Sequence, residues 1–380
     1  MRYFILAGEA SGDLHASHLM RELKKADGDA EFTFFGGDLM LNEGGALLKH
    51  YREMAFMGLI PVVLNLHKIR KNFRIARQSL LEFNPDVLIL VDYPGFNLRM
   101  AEFAHLNGIK VFYYISPKIW AWKTKRVYKV KNFVDQMFTI FPFETEFYKK
   151  YNYPVNFVGN PTIDELSARP NQEETFAEFT QRNALSGKPI IALLAGSRRQ
   201  EIKRILPVLV EVSLRFREYQ FVIAGAPSQS QTLYTEVLGK SSIPVVFGQT
   251  YELLQQSTAA LVASGTATLE TAFIQIPQVV CYRVEAGRLG TLVKNLMIKI
   301  PYFSLVNLIA NREIVKELFQ QFCTPETVGD ELDKILTDSD YRNAMLEGYN
   351  EVINSLGGAG CAERAAKMMI DLLTIKELKG

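Results

Sequence analysis

The strings LLAGSRRQE at residues 193–201 and ASGTATLE at residues 263–270 decide the fold. Each is an apolar run that stops at a small-residue turn and restarts with a helical pattern, as a strand followed by a helix does. A helix that begins on Gly, Ser or Thr presents unpaired backbone N–H groups and the positive end of its dipole, an arrangement that binds phosphate. One turn carries arginines and the other a carboxylate, so the pair predicts a site for a nucleotide diphosphate. We expect the arginines to face the charge and the carboxylate to face the sugar hydroxyls.

Short apolar runs and helical patterns alternate over the rest of the chain as well. Near-continuous apolar strands that alternate with helices indicate a parallel sheet covered on both faces. The strand candidates are residues 3–7, 32–35, 86–91, 110–115, 136–140, 189–194, 221–224, 244–247, 259–263 and 278–282.

A polar stretch from residue 161 to residue 188 separates two such series, and it predicts the domain boundary. We expect an α/β protein with two Rossmann-like domains that face a cleft. The first domain spans residues 1–165 and the second residues 186–350. A flexible joint at 357–360 precedes an apolar stripe at helical spacing. This stripe predicts a last helix, within residues 355–380, that crosses back to the first domain.

The composition narrows the class of protein. The chain has 380 residues, of which 48% are hydrophobic and 22% charged, so it can bury large cores. Its net charge of +2 argues against nucleic acid as a partner. The three cysteines, Cys281, Cys323 and Cys361, form neither a disulfide framework nor a zinc pattern, which fits a reducing compartment. Residues 1–8 run straight into an acidic loop and predict a first strand, not a signal peptide.

One segment combines apolar and basic residues as a peripheral membrane contact does. Its apolar run, 54–64, is too short to span a bilayer, and a basic cluster follows it. A buried helix with one solvated basic face explains the same pattern equally well. The candidate membrane-contact residues are Met57, Leu59, Ile60, Lys68, Arg70 and Lys71.

Asp92 follows the apolar run 86–91 directly and precedes a Pro-Gly turn. Ligands of parallel α/β sheets bind at the carboxyl ends of the strands, so a carboxylate there is well placed to act as a general base. Asp before Pro-Gly also serves as a turn or helix-capping residue, and position alone leaves both interpretations open.

The loop 8–13, Gly-Glu-Ala-Ser-Gly-Asp, follows the first strand. It lacks the spacing of a dinucleotide fingerprint, which argues against NAD or FAD as a cofactor. It still offers a helix N-terminus for the phosphate of a second substrate, although a plain turn capped by Ser11 or Asp13 is an equally good interpretation. The candidate acceptor-binding residues are Ser11 and Gly12 here and Asn97 after the Asp92 turn. His15 and His18 lack a third ligand and predict no metal site.

Taken in order, these pieces resemble the lipid-A-disaccharide synthase family. The resemblance runs over nearly the whole chain, and the first segment, the tryptophan segment and the Ser-Gly-Thr segment are the distinctive ones. Elsewhere the chain departs from the pattern, since the family often has His where Asn160 stands. The matching segments are residues 7–15, 57–58, 92–97, 115–122, 141–144, 157–161, 196–198, 263–270, 282–283 and 304–313.

The resemblance implies an inverting glycosyltransferase of the glycosyltransferase-B type that uses no metal or other cofactor. It would join UDP-2,3-diacylglucosamine to 2,3-diacylglucosamine 1-phosphate, giving the β-1,6-linked lipid A disaccharide 1-phosphate and UDP. The resemblance also implies a Gram-negative bacterium and the cytoplasmic face of the inner membrane, and it leaves room for a homodimer. Asp92 falls where the family's candidate base lies. The implied nucleotide-binding residues are Gly196, Ser197, Arg198, Ser264, Gly265, Thr266, Glu270, Asn307 and Glu313.

Two other functions suit the same pattern. A UDP-N-acetylglucosamine 2-epimerase shares the architecture and the nucleotide site, but it needs several acid–base residues around the sugar and no lipid surface. A non-catalytic UDP-lipid binding protein would hold the donor without forming product.

Overall fold

The computed structural model describes residues 1–54, 66–121, 123–283 and 301–374. The chain divides into two compact units, each built around its own sheet. Unit 1 consists of Met1–Pro161 and Leu356–Gly380, and unit 2 consists of Thr162–Ser355.

The described residues of unit 1 form a parallel sheet of seven strands in the order β3-β2-β1-β4-β5-β6-β7. The central strands are fully buried and rich in Val, Ile, Leu, Phe and Tyr, as strands covered on both faces must be. The strands are β1 Arg2–Ala7, β2 Glu31–Gly36, β3 Ala46–His50, β4 Val87–Val91, β5 Lys110–Tyr114, β6 Gln136–Thr139 and β7 Asn156–Phe157.

Helices connect these strands and cover the sheet. The fourth helix begins with Pro at its first position, where the missing N–H costs nothing, and the first ends near Lys24 and Lys25, which suit the negative end of its dipole. The helices are α1 Ala10–Ala26, α2 Asp38–Asn42, α3 Leu66–Phe83, α4 Pro94–Leu106, α5 Val127–Phe133 and α6 Pro142–Lys149.

The described residues of unit 2 form a second parallel sheet, of six strands in the order β10-β9-β8-β11-β12-β13. The strands are β8 Ile190–Leu194, β9 Gln220–Gly225, β10 Val245–Phe247, β11 Ser257–Ala263, β12 Gln278–Tyr282 and β13 Glu317–Phe319. The helices are α7 Pro161–Ser167, α8 Phe176–Arg182, α9 Arg199–Ser213, α10 Gln231–Leu238, α11 Thr250–Gln255, α12 Thr266–Phe273, α13 Leu305–Ala310, α14 Pro325–Thr337 and α15 Ser339–Ser355.

The last helix, α16 Cys361–Thr374, belongs to unit 1 and packs against α1. Its apolar stripe is buried, and the guanidinium of Arg364 donates hydrogen bonds to the carbonyls of Val158 (2.9 Å) and Gly358 (3.0 Å). The predicted return of the C-terminal helix to the first domain is confirmed, as is the pair of Rossmann-like domains.

The strand order reverses once in each sheet, and this reversal positions the predicted motifs. In unit 1, β1 pairs with both β2 and β4, and Ala7 lies opposite Val91. In unit 2, β8 pairs with both β9 and β11, and Leu194 lies opposite Val262. Ligands of open α/β sheets bind outside the carboxyl ends of the strands at such a switch point.

All ten strand candidates are confirmed to within two residues at each end. Three strands, β3, β7 and β13, were not predicted, because they are short or partly exposed and carry no continuous apolar run. Within the described ranges, no helix is long and apolar enough to cross a membrane.

Candidate functional site

Asp92 stands at the switch point of unit 1, one residue after β4. Asp92 and Tyr93 both have left-handed backbone conformations, with φ of 43° and 48°. Residues other than glycine rarely adopt this backbone conformation unless their surroundings stabilise it. The support is visible, because the Asp92 carbonyl accepts hydrogen bonds from the Asn97 amide (2.8 Å) and from the Tyr113 hydroxyl. The turn therefore holds the Asp92 side chain at the carboxyl edge of the sheet.

The electrostatic surroundings of Asp92 suit a proton acceptor. Burial raises the pKa of its carboxyl group, while Lys118, the backbone N–H of Tyr93 and His15 each lower that pKa. The net pKa lies above the usual value for Asp. A carboxylate that burial makes more basic is a better general base than an exposed one.

The predicted acceptor-binding residues do not share one environment. Ser11 is exposed in the first turn of α1. Gly12 is buried, and a Cβ atom at this position would lie 3.3 Å from the Cβ of Ala7, so its small size lets α1 pack on β1. Asn97 is only 1% exposed, and its amide donates to the carbonyls of Leu6, Val91 and Asp92. Asn97 thus supports the Asp92 turn from inside the unit and makes no surface for an acceptor.

The alternative in which Ser11 or Asp13 caps α1 is wrong. The N-cap residue is Glu9, with no side-chain cap bond. The buried carboxylate of Asp13 instead accepts hydrogen bonds from the N–H groups of Gly37 (2.7 Å), Leu39 and Met40 (3.2 Å each). It therefore caps the N-terminus of α2, and the charge is matched to the positive end of that helix.

Glu144 is a functional candidate that the sequence did not single out. Its carboxylate is 1% exposed and accepts hydrogen bonds from the N–H groups of Ile140 and Phe141 (3.1 Å each) and from the indole of Trp120 (3.2 Å). Burial nevertheless raises its pKa to about 7. Its position, three residues after the N-cap of α6, is a normal place for a capping Glu, so the sequence marks it only as the last residue of the resembling segment 141–144.

Unit 2 contains an open pocket of about 600 Å³ at its own switch point. Five of the predicted nucleotide-binding residues line it, namely Gly196, Ser197, Gly265, Thr266 and Glu270. Most of the remaining lining residues come from the loops after β9 and β10, from the first turn of α11 and from the polar stretch before β8, and no apolar periodic pattern marks them. They include Pro170, Ala226, Pro227, Gly248, Thr250 and Tyr251.

Two helices, α9 and α12, begin beside this pocket. Gly196 has φ of 102°, and a Cβ there would lie 2.7 Å from the Glu201 carboxylate, so only glycine fits this turn. The N-cap of α12 is Gly265, whose lack of a side-chain cap leaves the first N–H groups of the helix to the pocket. Arg198, the N-cap of α9, is exposed and lies 3.6 Å from Glu201. The two helix N-termini make this pocket suitable for an anion.

Glu270 lies one turn into α12 and lines the pocket. Burial, together with the nearby charge of Glu165, raises its pKa to about 7. The same two carboxylates raise the pKa of Tyr251, whose own burial is the larger cause. Glu270 is therefore a strong hydrogen-bond acceptor once it is ionised, as a partner for sugar hydroxyls needs to be.

Besides Arg198, three predicted nucleotide residues lie outside the pocket lining. Asn307 is fully buried, and its amide group exchanges hydrogen bonds with Val315, Ile314 and Glu317. The Ser264 hydroxyl donates to the carbonyl of Phe303 (3.1 Å), which lies one residue before the Ser304 N-cap of α13. Both residues connect the segment 303–317 to the sheet, and no residue of that segment is among those that line the pocket. Glu313 is exposed and pairs with Lys316 at 3.1 Å.

The predicted membrane contact is described only in part. Met57, Leu59 and Ile60 lie outside the described residues. Lys68, Arg70 and Lys71 are exposed on α3. Among the residues that the structure describes, no group of His, Cys, Asp and Glu could hold a metal ion.

Comparison with known sequences gives one family. A family model described as lipid-A-disaccharide synthetase matches residues 3–368. The lipid-A-disaccharide synthase of Myxococcus xanthus is 38% identical over 379 residues, covering 98% of this chain and 97% of the relative. That of Geobacter sulfurreducens is 35% identical over 378 residues, with the same coverage.

Solved structures resemble the chain in fold. The UDP-GlcNAc 2-epimerase of Neisseria meningitidis bound to UDP-GlcNAc matches with a TM-score of 0.67 at 14% identity, covering 98% of this chain and 100% of the other. The calicheamicin glycosyltransferase matches with a TM-score of 0.60 at 14% identity, covering 98% of each chain. At such identity these likenesses show the fold alone.

Proposed function

The chain belongs to the lipid-A-disaccharide synthase family and is a glycosyltransferase, and we propose that it joins UDP-2,3-diacylglucosamine to 2,3-diacylglucosamine 1-phosphate. The products are the β-1,6-linked disaccharide 1-phosphate and UDP. The observation that carries this proposal is the pocket of unit 2, where two helix N-termini and the Glu270 carboxylate line one cavity.

The donor binds in that pocket through its nucleotide. The N–H groups at the starts of α9 and α12 donate hydrogen bonds to the diphosphate oxygens, and Glu270 accepts hydrogen bonds from the ribose hydroxyls. Arg198 adds a mobile positive charge, since its side chain is 72% exposed and its bridge to Glu201 is long. Asn307 and Ser264 contribute indirectly, through the hydrogen bonds that hold the segment 303–317 to the sheet. Glu313 contributes from the surface of the same segment.

The reaction is a single displacement with inversion at the anomeric carbon. The 6-hydroxyl oxygen of the acceptor forms a bond to the anomeric carbon, and the bond from that carbon to the diphosphate oxygen breaks. Asp92 takes the hydroxyl proton, which fits its position at a strand end and its raised pKa. The leaving UDP takes the bonding electrons, and the helix N-termini with Arg198 stabilise the growing negative charge. Ser11, an exposed polar residue in the first turn of α1, contributes to binding of the acceptor.

Because both substrates carry acyl chains, we also propose that the protein works at the cytoplasmic surface of the inner membrane. The exposed basic residues Lys68, Arg70 and Lys71 favour such a contact. The apolar part of the proposed membrane contact is Met57, Leu59 and Ile60, which are known only from the sequence.

The test is a two-substrate assay in detergent with acylated donor and acceptor, read by mass spectrometry. The proposal expects equal amounts of UDP and of the disaccharide phosphate. Incubation with UDP-N-acetylglucosamine alone checks the epimerase alternative, which the synthase names of the sequence relatives do not favour. Donor binding without product in the presence of acceptor would make the chain a carrier and end the proposal.

A further inference from the structure

A groove formed by α3 and α4 in unit 1 brings four arginines together over an apolar floor. Its volume is about 520 Å³, and it is open to solvent. Leu81 in the floor is 49% exposed, although it is a large apolar side chain. The principal lining residues are Arg70, Phe73, Arg74, Arg77, Leu81 and Arg99.

The positive charge of this groove is concentrated well beyond the average of the chain. Helix α3 carries five lysines and arginines and a single acidic residue, Glu82. The chain as a whole has 43 basic and 41 acidic residues, so this one helix has a larger basic excess than the entire protein. Three of the arginines, Arg70, Arg74 and Arg77, follow helical spacing and therefore lie along one face.

The groove arginines lack carboxylate partners within the described part of the chain. The nearby Glu82 accepts a hydrogen bond from Gln78 at 2.8 Å instead. The guanidinium of Arg77 lies 4.9 Å from the ring centre of Phe103, and that of Arg99 lies 5.6 Å from the ring centre of Phe73. Ring contacts hold the flat faces of these groups and leave their N–H edges available. Elsewhere in unit 1, Arg21 is paired with Glu43.

We propose that this groove binds the phosphate headgroup of an anionic bilayer lipid. Guanidinium groups bind phosphate oxygens through two parallel hydrogen bonds, and several converge here. The apolar floor of Phe73 and Leu81 is suited to the glycerol and first acyl carbons of a lipid, whereas a free anion gains nothing from it. The inference rests on the proposed function, since acylated substrates are what bring the protein to a bilayer.

The site differs from a general attraction to negative surfaces. A diffuse attraction depends on total charge, and any three exposed cations contribute to it alike. A groove that encloses a headgroup depends on its own arginines. The difference is measurable, because the chain offers exposed cations elsewhere that can be removed in equal number.

The experiment measures binding of the full chain to phosphatidylethanolamine vesicles with and without phosphatidylglycerol. The groove variant is Arg74→Gln/Arg77→Gln/Arg99→Gln, and the matched control, with the same loss of charge, is Lys149→Gln/Lys150→Gln/Arg217→Gln, all at exposed positions. We expect the groove variant to lose at least tenfold in partitioning to the anionic vesicles and the control to lose much less. Equal losses in the two variants, or no loss in the groove variant, would overturn the proposal.

Two further arms keep the result interpretable. Thermal unfolding checks that the groove variant is folded, and Arg74→Gln alone, at an exposed position, replaces it if it is not. Glycerol 1-phosphate or inorganic phosphate, at constant ionic strength, should displace the protein weakly, and displacement as strong as by soluble short-chain phosphatidylglycerol would refute a lipid site. The wild-type transferase assay in detergent, without vesicles, reports on the proposed function separately, so either proposal can fail alone.

Discussion

Unit 1 and unit 2 each place their candidate residues where the strand order of a parallel sheet reverses, yet the two positions are built from different chemistry. In unit 1 the position holds one carboxylate, Asp92, on a left-handed turn. In unit 2 it holds glycine and hydroxyl residues around an open volume of about 600 Å³. The same topology thus positions a charged side chain in one unit and, in the other, the glycine turns that we propose bind the diphosphate.

Each position depends on a buried asparagine. Asn97 joins the carbonyls of β1 and β4 to the Asp92 turn, and Asn307 joins α13 to the segment that leads into β13. Backbone groups at the ends of buried strands need partners, and an amide can donate and accept at once. In each unit, then, a buried asparagine supports the position, and other residues are the ones that we propose contact the ligand.

The largest expected effect is on Asp92. In Asp92→Asn the turnover number should fall by roughly 100- to 10,000-fold, the range for a lost general base, because the amide cannot take the hydroxyl proton. UDP affinity, measured by calorimetry, should not change, since the nucleotide pocket belongs to unit 2. The control Asp29→Asn removes an exposed carboxylate of the same unit and should be without effect. A wild-type rate for Asp92→Asn would remove this residue from the mechanism.

The next largest effects are expected for the two buried asparagines. Their variants test whether each asparagine affects only the function of its own unit. Removal of the buried amide leaves backbone groups unpaired, so Asn97→Ala and Asn307→Ala should each lower the free energy of unfolding by about 2–4 kcal/mol. Asn97→Ala should also lower turnover, and Asn307→Ala should weaken UDP binding. Denaturant unfolding and calorimetry measure both, with Asn343→Ala as an exposed control. If Asn97→Ala weakened UDP binding as much as Asn307→Ala does, the two asparagines would not act separately in the two units.

These asparagines also mark what the sequence could and could not reveal. The apolar runs predicted ten strands, and the turns after β4, β8 and β11 were located because ligand-binding loops follow strands. Asn97 was predicted to bind the acceptor because it follows the Asp92 turn, and Asn307 was a nucleotide residue that the family resemblance implied. Their partners are set by tertiary structure: Leu6, which accepts from Asn97, is 91 residues away in the chain. Sequence patterns do not encode such pairings.

Pocket residues outside the predicted motifs were missed for a related reason. Tyr251 and Pro170 line the nucleotide pocket, but neither lies in a periodic pattern. Lys118 was quoted only within the family resemblance, although it lowers the pKa of Asp92. These residues reach their sites through the tertiary fold, whereas sequence periodicity predicts only helices and strands.

A smaller effect is expected for Glu270, and it depends on pH. Its pKa of about 7 means that it is mostly ionised at pH 8 and mostly protonated at pH 6. Because a hydrogen bond to a charged group contributes about 1.5–3 kcal/mol and one between neutral groups about 0.5–1.5 kcal/mol, Glu270→Gln should weaken UDP binding by about 1 kcal/mol, roughly fivefold, at pH 8. The difference between variant and wild type should shrink at pH 6. The comparison with the variant cancels the titration of UDP itself, and Glu236→Gln is the exposed control. A difference that is independent of pH would contradict the assignment.

Glu144 gives the smallest effect and sharpens the contrast with Glu270, since both have a pKa of about 7 but only Glu270 lines the nucleotide pocket of unit 2. The ordinary pKa of a glutamate is 4.5. Between these values the folded chain keeps a proton that the unfolded chain has released, so rising pH favours unfolding. From pH 6 to pH 8 Glu144 should therefore cost about 1 kcal/mol of unfolding free energy. Glu144→Gln should remove this slope and leave UDP affinity unaltered at every pH. Urea unfolding at the two pH values measures the slope. Glu270 contributes a similar slope of its own, so the prediction fails if Glu144→Gln keeps the full slope of the wild type, which would mean that Glu144 is ionised in the folded protein.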